Sequence, residues 1–214
     1  MKVVVVDYGS GNLRSASKAL ELAASDLNRG YEVIVSSKPL ELREADYIIL
    51  PGVGAFGDCF AGLTAIEGME EALEEVVVLR GKPFLGICVG MQLMANRSLE
   101  HGEHTGLGWV SGDVRPIEIV NNSIKVPHMG WNELEVNGVD HPVLYGLNNG
   151  DHAYFVHSFS LQCAQKDLVL ATTNYGRDIA AIVGRDNLIG TQFHPEKSQE
   201  TGRVVLRNFL NWRP

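Results

Sequence analysis

The residues with the clearest chemical meaning lie at positions 82–94, KPFLGICVGMQLM, where a short apolar run passes through Gly86-Ile87-Cys88-Val89-Gly90 into a helical pattern. A nucleophile held on a sharp strand-to-helix turn needs small residues two before and two after it, because the chain folds back on itself there. Gly86 and Gly90 supply that room around Cys88. At a helix N-terminus the free N–H groups and the dipole favour a thiolate. The segment therefore reads as a cysteine nucleophile with the Val89 N–H free to meet an oxyanion. Most free cysteines are small buried hydrophobes, but glycine on both sides of Cys88 fits that poorly; Cys59 and Cys163 lack this setting and read as structural.

A thiolate doing acyl transfer needs a base and a group that orients the base. Residues 187–198, NLIGTQFHPEKS, place His194 and Glu196 two apart. In an extended chain such a pair shares one face, and Pro195 keeps His194 out of helical geometry. Cys88, His194 and Glu196 thus form a candidate triad. His157, in AYFVHSF, is the alternative base, although a strand-like setting also suits a satisfied buried histidine.

Residues 46–59, DYIILPGVGAFGDC, hold Gly52, Gly54 and Gly57 in literal GxGxxG spacing, which is the dinucleotide-binding fingerprint. Pro51 intrudes before the first glycine, the motif follows the third strand, and no acidic residue closes a following strand. The competing use of a Pro-Gly-X-Gly strand end is a loop whose backbone N–H groups turn towards a developing oxyanion. Gly52 and Val53 would then complete a hole begun by Val89. Gly9 and Gly11 read as a βα turn because Arg14 stands at the third glycine position. His101, Glu103 and His104 fit no closed zinc spacing, and neither a metal nor another cofactor is expected. Trp131 and Tyr154 suit an interface or a core equally well.

These groups must be held by an α/β scaffold. KVVVVD at 2–7 is built on an apolar run without alternation, as expected of a strand buried on both faces of a parallel sheet. Asn12 is a good N-cap for a helix over 12–27. Strands at 31–36, 46–50 and 83–87, a helical stretch at 58–78 and a helix at 89–97 continue a doubly wound pattern. Beyond residue 105 short β segments near 113–119, 124–126, 132–136, 153–160, 168–173, 179–184 and 187–193 predict an antiparallel or mixed region. Residues 201–212 then predict a closing helix with Val204, Val205, Leu206, Phe209 and Leu210 on one face. No repeat or linker interrupts this order, so one domain over 1–214 is expected.

Composition narrows the partners. With 214 residues, 45% hydrophobic and 21% charged, the chain can bury a core without disulfides. Lys and Arg total 18 against 26 Asp and Glu, a net charge of -8, which disfavours nucleic acid and anionic membrane surfaces. No apolar run reaches the roughly 18 residues of a span. Three cysteines cannot all pair, so a reducing cytoplasmic setting is expected.

Over nearly the whole chain, GICVGMQLM with QFHPEKS resembles the class I glutamine amidotransferases. VDYGSGNLRS, ILPGVGAFGD, PHMGWN and YFVHSF resemble one branch of that family, the glutaminase subunits that serve a synthase. The resemblance implies a doubly wound α/β fold and a Cys88-His194-Glu196 triad that hydrolyses L-glutamine through a γ-glutamyl thioester. It implies oxyanion donors at Val89 and the Gly52-Val53 peptide, with a Val53 flip as an on-switch, and Gln92 and Glu100 as substrate contacts. It also implies a heterodimer in which ammonia passes to a (β/α)8 barrel synthase subunit, with Asn12, Met129, Trp131, Tyr154 and Lys197 at the interface or ammonia gate. RSLEHGEH at 97–104 and Gly202-Arg203 depart from the family pattern.

Overall fold

The computed structural model describes residues 1–119, 124–138 and 140–214. In the first half, β1 (Lys2–Val6), α1 (Leu13–Leu27), β2 (Glu32–Ser36), α2 (Pro39–Arg43), β3 (Tyr47–Gly52), α3 (Phe56–Thr64), α4 (Met69–Leu73), β4 (Phe84–Cys88) and α5 (Val89–Gln92) follow one another. Then come β5 (Ala95–Ser98), β6 (His104–Thr105), β7 (Val110–Pro116), β8 (His128–Glu133), β9 (Glu135–Val136) and β10 (His152–His157). The chain closes with β11 (Phe159–Cys163), β12 (Val169–Asn174), β13 (Asp178–Arg185), β14 (Leu188–Thr191) and α6 (Gln199–Asn211).

Eight strands form the main sheet in the order β2-β1-β3-β4-β14-β13-β12-β9. From β2 to β14 every pairing is parallel, and β13, β12 and β9 then add antiparallel strands. Every residue of β3, β4 and β14 is buried, which is why these stretches are apolar without alternation. Fully burying side chains of the size of Ile48, Ile49 and Leu85 is worth about 1.5–3 kcal/mol each. α1 packs against α6, whose Val204, Val205, Leu206, Phe209 and Leu210 are all buried, and Tyr47 Oη donates to Leu210 O at 2.7 Å. A second sheet, β11-β7-β5-β6, and a two-stranded ribbon, β8 with β10, complete the mixed half.

Several features differ from the sequence reading, beginning with the strand expected near 153–160, which is two strands, β10 and β11, parted at Ser158. The helical stretch at 58–78 breaks between α3 and α4 at Gly68, whose φ of +78° suits glycine, and widens after α4 into a π-helical turn at Glu74–Leu79. The helix after Cys88 is one turn rather than reaching residue 97. Leu107, Val110, Gly108 and Gly106 donate to the carbonyls of Leu93, Met94, Ala95 and Asn96, so the chain leaves helical geometry and becomes β5. Residues 124–126 form no strand: Pro127 follows without an N–H, and Lys125 O accepts from the Tyr175 hydroxyl. Asn12 occupies the N-cap of α1, but its side chain makes no capping hydrogen bond. Among the described residues no helix is long and apolar enough to cross a membrane.

Candidate active site

Cys88 ends β4 with φ +54° and ψ −110°, a backbone geometry that L-residues rarely hold and that marks a strained nucleophile turn. The glycines around it permit close approach. A Cβ on Gly90 would lie 1.7 Å from Leu50 O, and one on Gly86 would lie 2.6 Å from Gly90 O. Gly52, paired with Cys88 across β3 and β4, is equally confined, since its Cβ would come within 2.8 Å of Gly90 N. The parallel sheet, the loop after β3 and the first turn of α5 are therefore locked together around Cys88, which is 3% exposed.

His194 and Glu196 follow β14, the strand beside β4. Pro195–Lys197 make a single 3-10 turn rather than an extended chain, and this turn brings His194 Nδ1 to 2.8 Å from Glu196 Oε1, with both side chains 2% exposed. Around the turn, His194 N donates to Tyr154 O at 3.0 Å, Ser198 Oγ to His194 O at 2.7 Å, and Tyr154 N to Ser198 Oγ at 2.9 Å. His194 Nε2 is buried and has no hydrogen-bond partner among the described residues. Burial opposes a charge on this ring, but the Cys88 sulfur and the Glu196 carboxylate outweigh it and raise His194 to about 9. A nitrogen without a partner, held beside a thiol, can take the thiol proton and return it.

A cavity of about 160 Å³ opens on this pair, lined among others by Cys88, Val89, Gln92, Glu100 and His194. Gln92 Nε2 donates to Phe159 O at 2.9 Å, and Glu100 Oε2 accepts from Phe56 N at 2.7 Å, so both expected substrate contacts are anchored at the cavity wall. His157 also lines the cavity but is not a free base. Its Nδ1 is 2.9 Å from Phe159 O and its Nε2 3.0 Å from His128 Nδ1, and burial pushes it down to about 3.

The expected oxyanion donor on the β3 side is not turned into the cavity. Val53 N donates to Ser10 Oγ at 3.2 Å, while Val53 O accepts from Ser10 Oγ at 2.6 Å and from Cys59 Sγ at 3.3 Å. Ser10 thus grips both polar atoms of one residue. Tyr8 Oη donates to Pro51 O at the end of β3 at 2.8 Å, and burial pushes that phenol above the usual tyrosine range. Val89, the first residue of α5, does line the cavity.

Met129 and Trp131 are 63% and 47% exposed on β8. Trp131 packs edge-on to Tyr154 at 5.9 Å between ring centroids, and Lys197 Nζ sits 5.6 Å from the Tyr154 centroid. These four residues form one surface beside the His194 turn, whereas Asn12 belongs to the turn that brings Gly11 against Pro51. Of the remaining expectations, His104 packs against Gly57, Glu103 pairs with Arg97 at 3.1 Å, and burial pushes Cys163 up to about 11.

Sequence reasoning missed Ser10, Ser198 and Gln192. Gln192 Nε2 donates to Cys88 Sγ at 3.8 Å, and the spacing argument that linked His194 to Glu196 would have reached Gln192, two residues earlier.

A mostly parallel sheet thus carries a strained cysteine turn at the end of β4 and a histidine–glutamate pair after the neighbouring β14. The family described as glutamine amidotransferase class-I matches residues 4–212, and the chain belongs to that family. Within it, the chain is 53% identical to the imidazole glycerol phosphate synthase subunit HisH of Cereibacter sphaeroides and 50% identical to that of Rhodospirillum rubrum, over 100% of each chain. A solved structure described as a glutamine amidotransferase shares the fold, with a TM-score of 0.71 at 22% identity over 97% of each chain. A glutamine amidotransferase from Thermotoga maritima shares it too, with a TM-score of 0.68 at 15% identity over 99% of this chain and 96% of that one.

Proposed function

We propose that this chain is the glutaminase subunit of an imidazole glycerol phosphate synthase, working as a single cytoplasmic amidotransferase domain in histidine biosynthesis. The observation that carries the chemistry is the His194 Nε2 atom, buried beside Cys88 and without a partner among the described residues, while Glu196 holds the opposite nitrogen. Cys88 Sγ attacks the side-chain amide carbon of L-glutamine as His194 takes the thiol proton. The tetrahedral oxyanion meets the Val89 N–H and, once the Gly52-Val53 peptide rotates away from Ser10, the Val53 N–H. His194 then gives its proton to the departing nitrogen, ammonia leaves, and a γ-glutamyl thioester remains on Cys88. Water, deprotonated by His194, attacks the thioester; glutamate leaves and the thiol is restored. Gln92 and Glu100 hold the polar ends of glutamine.

Ammonia passes to a (β/α)8 synthase subunit that makes imidazole glycerol phosphate and AICAR. That barrel protein docks as the second chain of a heterodimer on Met129, Trp131, Tyr154 and Lys197, with Asn12 at the edge. Exposed aromatic and apolar side chains on a ribbon adjoining the His194 turn support this choice. The grip of Ser10 on Val53 supports a resting state that the partner and its nucleotide substrate relieve. The test is glutamate release by this chain alone, with the barrel partner, and with the barrel partner plus its nucleotide. Turnover that rises sharply in the full mixture is expected; turnover indifferent to the partner would discard the assigned pathway, and none under any condition would discard the chemistry.

A further inference from the structure

A chain of buried and part-buried hydrogen bonds connects the β8–β10 ribbon to the nucleophile, and one backbone atom sets its direction. Phe159 O can only accept. It lies 2.9 Å from His157 Nδ1 and 2.9 Å from Gln92 Nε2, so both of those nitrogens carry the proton they share with it. On the ribbon side His157 is neutral, its Nε2 accepts from His128 Nδ1 at 3.0 Å, and His128 Nε2 accepts from Asn132 Nδ2 at 3.2 Å. On the other side Gln92 Nε2 also meets Gln192 Oε1 at 3.1 Å. Turning the Gln92 amide round would set its oxygen against the Phe159 carbonyl, and turning the Gln192 amide would set nitrogen against nitrogen. The remaining arrangement aims Gln192 Nε2 at Cys88 Sγ, 3.8 Å away, from a fully buried side chain.

We propose that Gln192 is a positioning residue of the nucleophile: its amide N–H, oriented through Gln92 by the Phe159 carbonyl, donates to the Cys88 sulfur and favours the thiolate. This rests on the reading of Cys88 as the nucleophile. The strand end that delivers the base at His194 thereby delivers, two residues earlier, a neutral donor to the sulfur. A neutral donor helps because it steadies a thiolate without competing with His194 for the proton. His194, Tyr8 and Cys59 are ionisable groups close to Cys88, and Gln192→Met removes none of them and adds no charge beside them. Gln192 does not line the substrate cavity, so its effect belongs to the sulfur rather than to glutamine binding.

The test uses the full chain with Gln192→Met, which keeps length and bulk but removes the donor, and Gln192→Glu, which keeps shape and replaces the donor with an acid. The readouts are the rate of Cys88 alkylation by iodoacetamide at fixed neutral pH, resolved by peptide mass, and kcat and KM for glutamine with the partner present. With Gln192→Met, alkylation and kcat are each expected to fall about tenfold while KM stays within about twofold. Gln192→Glu is expected to slow alkylation further, because a carboxylate repels the thiolate, and it carries the test alone if the Met variant does not fold. Alkylation at the wild-type rate in a folded variant overturns the proposal, as does a KM rise with unchanged kcat. Alkylation needs no glutamine turnover, so a wild-type chain without glutaminase activity would fail the functional reading while the alkylation rates still decide this one.

Discussion

Replacing Ser10 with alanine should raise, not lower, glutamine hydrolysis by the chain without its partner. Ser10 Oγ gives a hydrogen bond to Val53 O at 2.6 Å and takes one from Val53 N at 3.2 Å, and both hold the N–H away from the Cys88 cavity. A net hydrogen bond is worth about 0.5–1.5 kcal/mol, and Ser10 is partly solvent-exposed, so losing the two together costs the held form about 1–1.5 kcal/mol. If unstimulated turnover comes from the minor form with Val53 released, that shift enlarges it about 5- to 12-fold. The Cys59 Sγ contact to Val53 O remains and keeps the gain from running higher. The assay is glutamate release by Ser10→Ala and wild type, each alone and with the barrel partner plus its nucleotide. The stimulated rate should stay within about twofold, since the hold is already broken there, and the stimulation factor should shrink accordingly. Adding Cys88→Ala should abolish the gain. A folded Ser10→Ala chain with unchanged or reduced turnover would refute the reasoning.

Three further outcomes follow from other contacts. Glu196→Gln keeps an acceptor for His194 Nδ1 but removes the carboxylate that helps raise His194 to about 9, so the alkaline limb of the kcat profile should move to lower pH. The sign follows because the imidazolium that protonates the departing amide nitrogen is lost as pH rises through its pKa; kcat at neutral pH should fall about 10–100-fold, read from pH–rate curves of both proteins. Trp131→Ala should weaken binding of the barrel partner by about tenfold or more in calorimetry, with glutamine chemistry at saturating partner preserved. Gly90→Ala would drive a Cβ to 1.7 Å from Leu50 O, so the thermal midpoint should drop by an amount reflecting about 3 kcal/mol or more, or the chain should fail to fold.

The parts of this structure that could be read from residue order are those whose causes are local. β1, β3 and β4 show as unbroken apolar runs because both of their faces are covered, and the elbow shows because Gly86 and Gly90 are forced by atoms of the same turn and its neighbouring strand. The His194–Glu196 contact was also visible, though for a different backbone than expected, since Pro195 begins a 3-10 turn. What stayed hidden depends on distant partners. α5 stops after Gln92 because the backbone of residues 106–110 takes the carbonyls of Leu93 to Asn96, which no helical periodicity reveals. The hold of Ser10 on Val53 joins residues 43 apart, and the Gln192 contact with Cys88 spans 104. Side chains that bond across such distances leave no spacing to read.

The most direct measurement of the central claim is the mass of the Cys88 peptide from enzyme quenched in acid during glutamine turnover with the barrel partner present. A γ-glutamyl adduct on Cys88, accumulating during turnover, chased by water after glutamine is removed and missing in Cys88→Ala, is the expected result. Turnover that proceeds at full rate with Cys88 unmodified, or that survives in Cys88→Ala, would contradict the account.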